Sequence, residues 1–155
     1  MPRTACRTIL SERCIVISFF VPGKITGKER PRFGKGNAYT ASGTRALERS
    51  VGYLAKEAMR GKSQFTGPVM LEVEITVEPP KSWKEDKRET ARHCMNGADL
   101  DNQIKLIGDA INSIVYFDDR QITTIQASKH YSLTKPAGAR VCIHDLTRSP
   151  FTKAK

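Results

Sequence analysis

Three patterns predict an α+β fold, a single domain in which a mixed β-sheet is packed by two main helices. Residues 69–77 alternate cleanly: Val69, Leu71, Val73, Ile75 and Val77 face one way and Met70, Glu72, Glu74 and Thr76 the other, the period of a half-buried strand. From 42 to 60, Ala46, Leu47, Val51, Leu54, Ala55, Ala58 and Met59 recur at helical spacing, with Ser42 as cap and Gly61 as stop. From 101 to 113 a second apolar periodicity gives the other helix. A chain of 155 residues has the usual size of one domain and can bury a core without staples. The expected organisation is a loose extension over 1–13, a folded domain over 14–146 and a basic tail over 147–155.

The remaining elements follow in order. Cys-Ile-Val-Ile-Ser-Phe-Phe-Val, residues 14–21, is a short apolar run closed by Pro22-Gly23 and reads as a buried strand. Residues 24–36 hold Lys24, Lys28, Arg30, Arg32 and Lys35 against Glu29, with too much Gly and Pro for regular structure, and read as a basic loop. After Pro79-Pro80, residues 81–92 form a charged stretch with Trp83 as its large apolar anchor, a short surface helix. Asn96-Gly97 makes a flexible approach to the acidic segment. Residues 121–129 and 140–144 read as strands joined around Lys135-Pro136-Ala137-Gly138.

Lys and Arg number 26 against 16 Asp and Glu, a net charge of +10, which favours anionic partners such as nucleic acid. The longest apolar run falls far short of the roughly 20 residues that cross a bilayer, so no membrane span is expected. Arg3, Arg7 and Arg13 without an adequate apolar core do not make a secretory signal, and the expected location is cytoplasmic. Cys6, Cys14, Cys94 and Cys142 are scattered and read as reduced thiols; with His93, His130 and His144 they lack the spacing of a zinc site.

Against this basic background, residues 99–119 concentrate carboxylates. Leu100, Ile104, Ile107, Ile111 and Ile114 step by four and three, so one stripe of a helix packs down. Asp101, Lys105 and Asp109 share a more polar stripe. If Asp99 and Asp101 lie in the extended lead-in, both point to one side, at a helix N-terminus whose dipole favours negative charge. A helix of about 12 residues rises about 18 Å, and the six residues after it can reach back about 20 Å if extended. Either Asp118 or Asp119 can then face Asp99 and Asp101. Three hard oxygen ligands suit Mg²⁺ or Mn²⁺ under a phosphate, with Lys105 as a point charge beside it. Lys24, Lys28, Arg30, Arg32 and Lys35 suit phosphate contacts, Phe33 among them could act as a wedge, Lys129 can reach the site from its strand, and Glu72 and Glu74 could approach the metal. The structural alternative makes Asp99 or Asp101 a cap, Lys105 an intrahelical partner and Asp118-Asp119 a turn.

The runs Asp99-Leu-Asp-Asn-Gln-Ile-Lys, Asp109-Ala-Ile-Asn and Tyr116-Phe-Asp-Asp-Arg-Gln-Ile resemble the signature of the RusA family of Holliday junction resolvases, common in phages and prophages. Similarity extends over about 19–145, including Tyr39-Thr40, Pro79-Pro80-Lys-Ser-Trp and Ser128-Lys129. The chain departs from it in Gly97-Ala98, where relatives often carry Lys-Pro, and in residues 1–13, which have no counterpart. The resemblance implies a homodimer that binds four-way DNA junctions and makes paired, symmetric nicks with Mg²⁺ or Mn²⁺. It matches Asp99, Asp101 and Asp119 to the catalytic acids and metal ligands, choosing Asp119 over Asp118, and matches Lys105 to the essential lysine. The competing readings are a non-catalytic basic nucleic-acid-binding protein and a metal nuclease acting on flaps or single strands.

Overall fold

The computed structural model describes residues 15–28, 32–34, 37–39 and 42–147. The expected extension over 1–13 and the tail from 148 lie outside these residues. In chain order the elements are β1 (Val16–Pro22), β2 (Arg32–Gly34), β3 (Asn37–Tyr39), α1 (Ser42–Ala58), β4 (Val69–Val77), α2 (Glu85–Thr90), α3 (Leu100–Ile111), a 3-10 turn (Asp119–Gln121), β5 (Ile122–Tyr131) and β6 (Gly138–Asp145).

Four strands make one mixed sheet in the order β1-β6-β4-β5, with β2 and β3 a separate pair. β6 runs antiparallel to both β1 and β4, whereas β5 runs parallel to β4, with Leu71 beside Ile125 and Ile75 beside Lys129. A parallel pair needs a crossover, and the chain supplies it with α3, which therefore lies across one face of the sheet. On that face Val69, Leu71, Val73 and Ile75 of β4 are buried with Ile107 and Ile111 of α3 and Val51 and Ala55 of α1 in one core. The two helices touch at Gly52, where an added Cβ would stand 3.4 Å from the Ala110 carbonyl, an ordinary contact distance.

Three expectations are revised. Residues 32–34 and 37–39 form the short antiparallel pair β2 and β3, because strand pairing supplies hydrogen bonds that a loop would leave to water. The segment at 135–138 leads from β5 to β6 as expected, but the two strands are not neighbours, since β4 sits between them and pairs with both. The buried stripe of α3 is also rotated: Gln103, Leu106, Ile107 and Ile111 are buried, while Leu100, Ile104 and Ile114 are only partly so. Gln103 tolerates burial because its amide donates to the Ile25 carbonyl at 2.6 Å. Ile104 turns instead toward β5.

The opposite sheet face takes up the acids of β4. Glu72 accepts from His144 at 2.8 Å, and Glu74 meets Lys135 at 2.6 Å and His130 at 3.4 Å. Both carboxylates thus face away from α3, so the expectation that they approach a metal among the α3 acids is not met. Burial raises the Glu74 carboxyl, but Lys135, His130 and Arg140 outweigh it and hold its pKa below the ordinary value. Its folded pKa being depressed, Glu74 contributes stability that is present above its unfolded pKa and lost as the pH falls through the folded one. Urea midpoints followed from pH 6 down to pH 3 are therefore expected to drop more steeply in the native protein than in Glu74→Gln. A second expectation concerns Gly138, at φ 153°, where an added Cβ would lie 2.2 Å from the Val21 carbonyl oxygen. Gly138→Ala must push β1 from β6 and should cost about 3 kcal/mol in urea unfolding, whereas Gly43→Ala, with nothing within 4 Å, should be tolerated.

Candidate active site

Asp99 occupies the cap position of α3, with extended backbone at φ −64° and ψ 140°, yet its side chain makes no capping hydrogen bond. Its carboxylate is not consumed by the helix. The approach to it is held from β5: the Lys129 ammonium donates to the Ala98 carbonyl at 2.8 Å and the Asn96 carbonyl at 3.2 Å. Residues 92–94 run along the free edge of β5, with Cys94 N–H donating to the Lys129 carbonyl and Tyr131 N–H to the Arg92 carbonyl. Beside them Trp83 stacks edge-on against Tyr131 with ring centres 5.3 Å apart.

Two clefts flank Asp101. One, of about 370 Å³, runs along α3 and is walled by Asp101, Lys105 and Asp109 with Asp119 and the apolar Ile104, Ile122 and Ile125. The other, of about 920 Å³, holds Asp99 and Asp101 with His93, Ser128, Lys129 and His130. Asp101 belongs to both. Ile104, half-buried against the core, forms the apolar floor of the first cleft together with Leu71, Ile122 and Ile125.

The return from α3 does not run extended back to its N-terminus. Ser113 takes a positive φ of 62°, Val115 and Tyr116 are buried, and the Tyr116 hydroxyl donates to the Gly108 carbonyl at 2.9 Å. That hook pins the Tyr116 side chain against the middle of α3. Burial, with Asp119 and Asp109 nearby, raises the Tyr116 pKa well above the phenolic value, so the hydroxyl stays a donor. Asp119 lies near Tyr116, as Asp109 does, and shares the cleft with Asp101 and Lys105. Among the described residues no three or more of His, Cys, Asp and Glu stand close enough to hold a metal, so Asp99, Asp101 and Asp119 are not gathered at one point.

The two adjacent acids have separate work. Asp118 accepts from the Arg120 backbone N–H at 2.9 Å and pairs with its guanidinium at 3.0 Å, which holds the carboxyl far below its usual range. It is the turn acid. Asp119 lines the cleft. Gln121, which sequence reasoning missed, fixes this arrangement: its carbonyl oxygen accepts from Phe117 and Asp118 N–H groups at 2.8 and 3.0 Å, and its amide donates to the Phe65 and Gly67 carbonyls at 2.8 and 2.9 Å. The readable signal was the capping pattern Asp118-x-x-Gln121.

Of the basic candidates, Lys28 pairs with Asp109, and its backbone N–H donates to the Asn102 carbonyl. Gly27 allows this approach, since a Cβ there would lie 3.0 Å from that of Asn102. The root of the basic segment is thereby fastened to α3. Lys24 is exposed and borders a third hollow with Gln103 and Lys129. Arg30 and Lys35 lie outside the described residues, as do the side chains of Arg32 and Phe33.

Gln121→Ala leaves four backbone groups without their partner and should cost about 2 kcal/mol. A urea titration that finds the variant as stable as the native protein would refute the role given to Gln121.

The family model for endodeoxyribonuclease RusA matches residues 22–144. Among curated proteins the chain is similar to the uncharacterized protein YqaN of Bacillus subtilis (strain 168), with 29% identity over 126 residues covering 75% of this chain and 88% of that one. Together with the mixed four-stranded sheet and its crossover helix, the match over most of the sequence places the chain in the endodeoxyribonuclease RusA family.

Proposed function

We propose that the protein is a metal-dependent endonuclease that resolves four-way DNA junctions by paired phosphodiester hydrolysis. The observation that carries this reading is Asp101, shared between a cleft with Asp99 and a cleft with Lys105 and Asp119. A phosphate seated over Asp101 has carboxylates on two sides and an ammonium beside it.

The donor set fits Mg²⁺ or Mn²⁺ in kind, because all three acids offer hard carboxylate oxygens and Asp99 spends none on its helix. Asp99 and Asp101 share one cleft and would hold the ion, while Asp119, which shares only the other cleft with Asp101, is the third acid that the family resemblance assigns. Bound there, such an ion would activate a water and neutralise charge on the phosphate. Lys105, exposed on the same polar stripe, stabilises the phosphate as a compact charge. Lys129 positions Asp99 by holding the carbonyls before it, a role distinct from the direct DNA contact expected of it. Lys24, Lys28, Arg30, Arg32 and Lys35 supply backbone contacts, with Lys28 exchanging Asp109 for phosphate. Symmetric nicks in opposed strands need two such centres, which a homodimer provides.

A labelled four-way junction, a linear duplex and a flap incubated with and without Mg²⁺ test the reading. The junction should be nicked in pairs, EDTA should stop the reaction, and Asp101→Asn should abolish nicking while binding persists. Lys105→Ala should slow nicking by about 10² to 10³. Asp119→Asn should abolish nicking, whereas Asp118→Asn should leave nicking intact and loosen only the turn that its carboxylate caps. Full cleavage by Asp101→Asn would end the proposal for this site.

A further inference from the structure

The solvent face of α1 is cationic in a way that neither the core nor the candidate active site uses. Arg45, Arg49 and Lys56 are exposed, and among the described residues none of them makes an ion pair or a side-chain hydrogen bond. At about 100° per residue the three lie within about 40° of one another around the helix axis, in one stripe about 16 Å long. Tyr53 flanks the stripe with 65% of its surface exposed. The acids of α1 fall outside it: Glu57 is held by Arg60 at 2.7 Å, and Glu48 projects about 60° beyond Arg45. In the same projection Gly52, the point at which α1 touches α3, lies about 20° from Arg45. The stripe therefore runs along the flank of α1 that borders the helix carrying Asp101 and Lys105.

From this placement we propose that Arg45, Arg49 and Lys56 form a second DNA-contact surface, which holds the phosphate backbone of a duplex arm while the strand to be cut lies over α3. The inference rests on the nuclease reading for its choice of polyanion. Charge complementarity carries it: over 16 Å one strand of duplex DNA presents about five phosphates, and three cations in line, with no partner among the described residues, match a backbone but read no base. Tyr53 adds a rigid face with a hydroxyl, suited to sugar and phosphate contact. A branched substrate has arms that leave the cleft, and α1 is a neighbouring surface charged to receive one.

The test is the salt dependence of junction binding in EDTA, which prevents cutting. In the double variant R45Q/R49Q the slope of log Kobs against log salt should become shallower by about 1.8, roughly 0.9 for each phosphate that is no longer neutralised. The double variant K81Q/K84Q removes the same charge from exposed positions elsewhere and should leave the slope within about 0.5 of the native value. Equal slopes for the two doubles would overturn the stripe as a contact surface, whatever the nicking assay gives. Failure of the native protein to nick any DNA with Mg²⁺ would instead overturn the nuclease reading, and a shallower slope in R45Q/R49Q alone would then still assign DNA to α1. Thermal melting of both variants at unchanged midpoint shows that neither result comes from unfolding, as exposed positions on a helix and a turn predict.

Discussion

The parallel pairing of β4 with β5 is the constraint from which the rest of the molecule follows. Two parallel neighbours cannot be joined by a tight turn, so some 45 residues must leave one end of the sheet and re-enter at the other. That detour becomes the candidate site. Its middle is α3, pressed onto the sheet by Leu106, Ile107 and Ile111, and its exposed edge carries Asp101 and Lys105. The re-entry point is the turn that carries Asp119. The chain thus uses the crossover both to close the core and to build two facing walls, and the gap between helix and edge strand is the cleft.

Fixing those walls falls to polar side chains rather than to the core. Lys129 ties the lead-in of α3 to β5, Gln121 ties the returning turn to residues 65–67, Tyr116 ties the same return to Gly108, and Lys28 ties the basic segment to Asp109. Each tie runs between segments far apart in sequence, or between a helix and the chain that has just left it. Each is satisfied by a backbone carbonyl or a single opposite charge. Sites set this way hold their geometry without filling the gap with apolar atoms, which would exclude a charged substrate.

Periodicity in the sequence was sufficient to find β4, α1 and α3, because each has one face against the core and the burial pattern is written directly as spacing. It misplaced the buried stripe of α3 by counting Ile104 and Ile114 and passing over Gln103. Apolar character marks what a residue tolerates, but only the Ile25 carbonyl explains why a glutamine is buried. It found the connection from β5 to β6 but not that β4 lies between them, because adjacency in sequence does not register spatial order. At the site, spacing reached the stripe of Asp101, Lys105 and Asp109 and the existence of a returning acid. The choice of Asp119 over Asp118 came from the resemblance, and the hook of Tyr116 that pins the returning chain to α3 depends on a contact no local pattern encodes. Family membership was legible because the acidic motifs and their order are specific.

The sheet has two free edges, and they are treated differently. Along β5 the chain segment 92–94 satisfies the outer hydrogen-bonding groups near Lys129 and Tyr131, while the stretch through Ile125 remains uncovered with its side chain 54% exposed. An open run of peptide groups beside an exposed isoleucine is a template for another chain to add to, and Thr123, Thr124 and Gln126 next to it carry no charge to repel one. Crowded conditions during synthesis or purification would expose that liability first at this edge. The stretch that borders the candidate cleft is the same one through which the protein can aggregate.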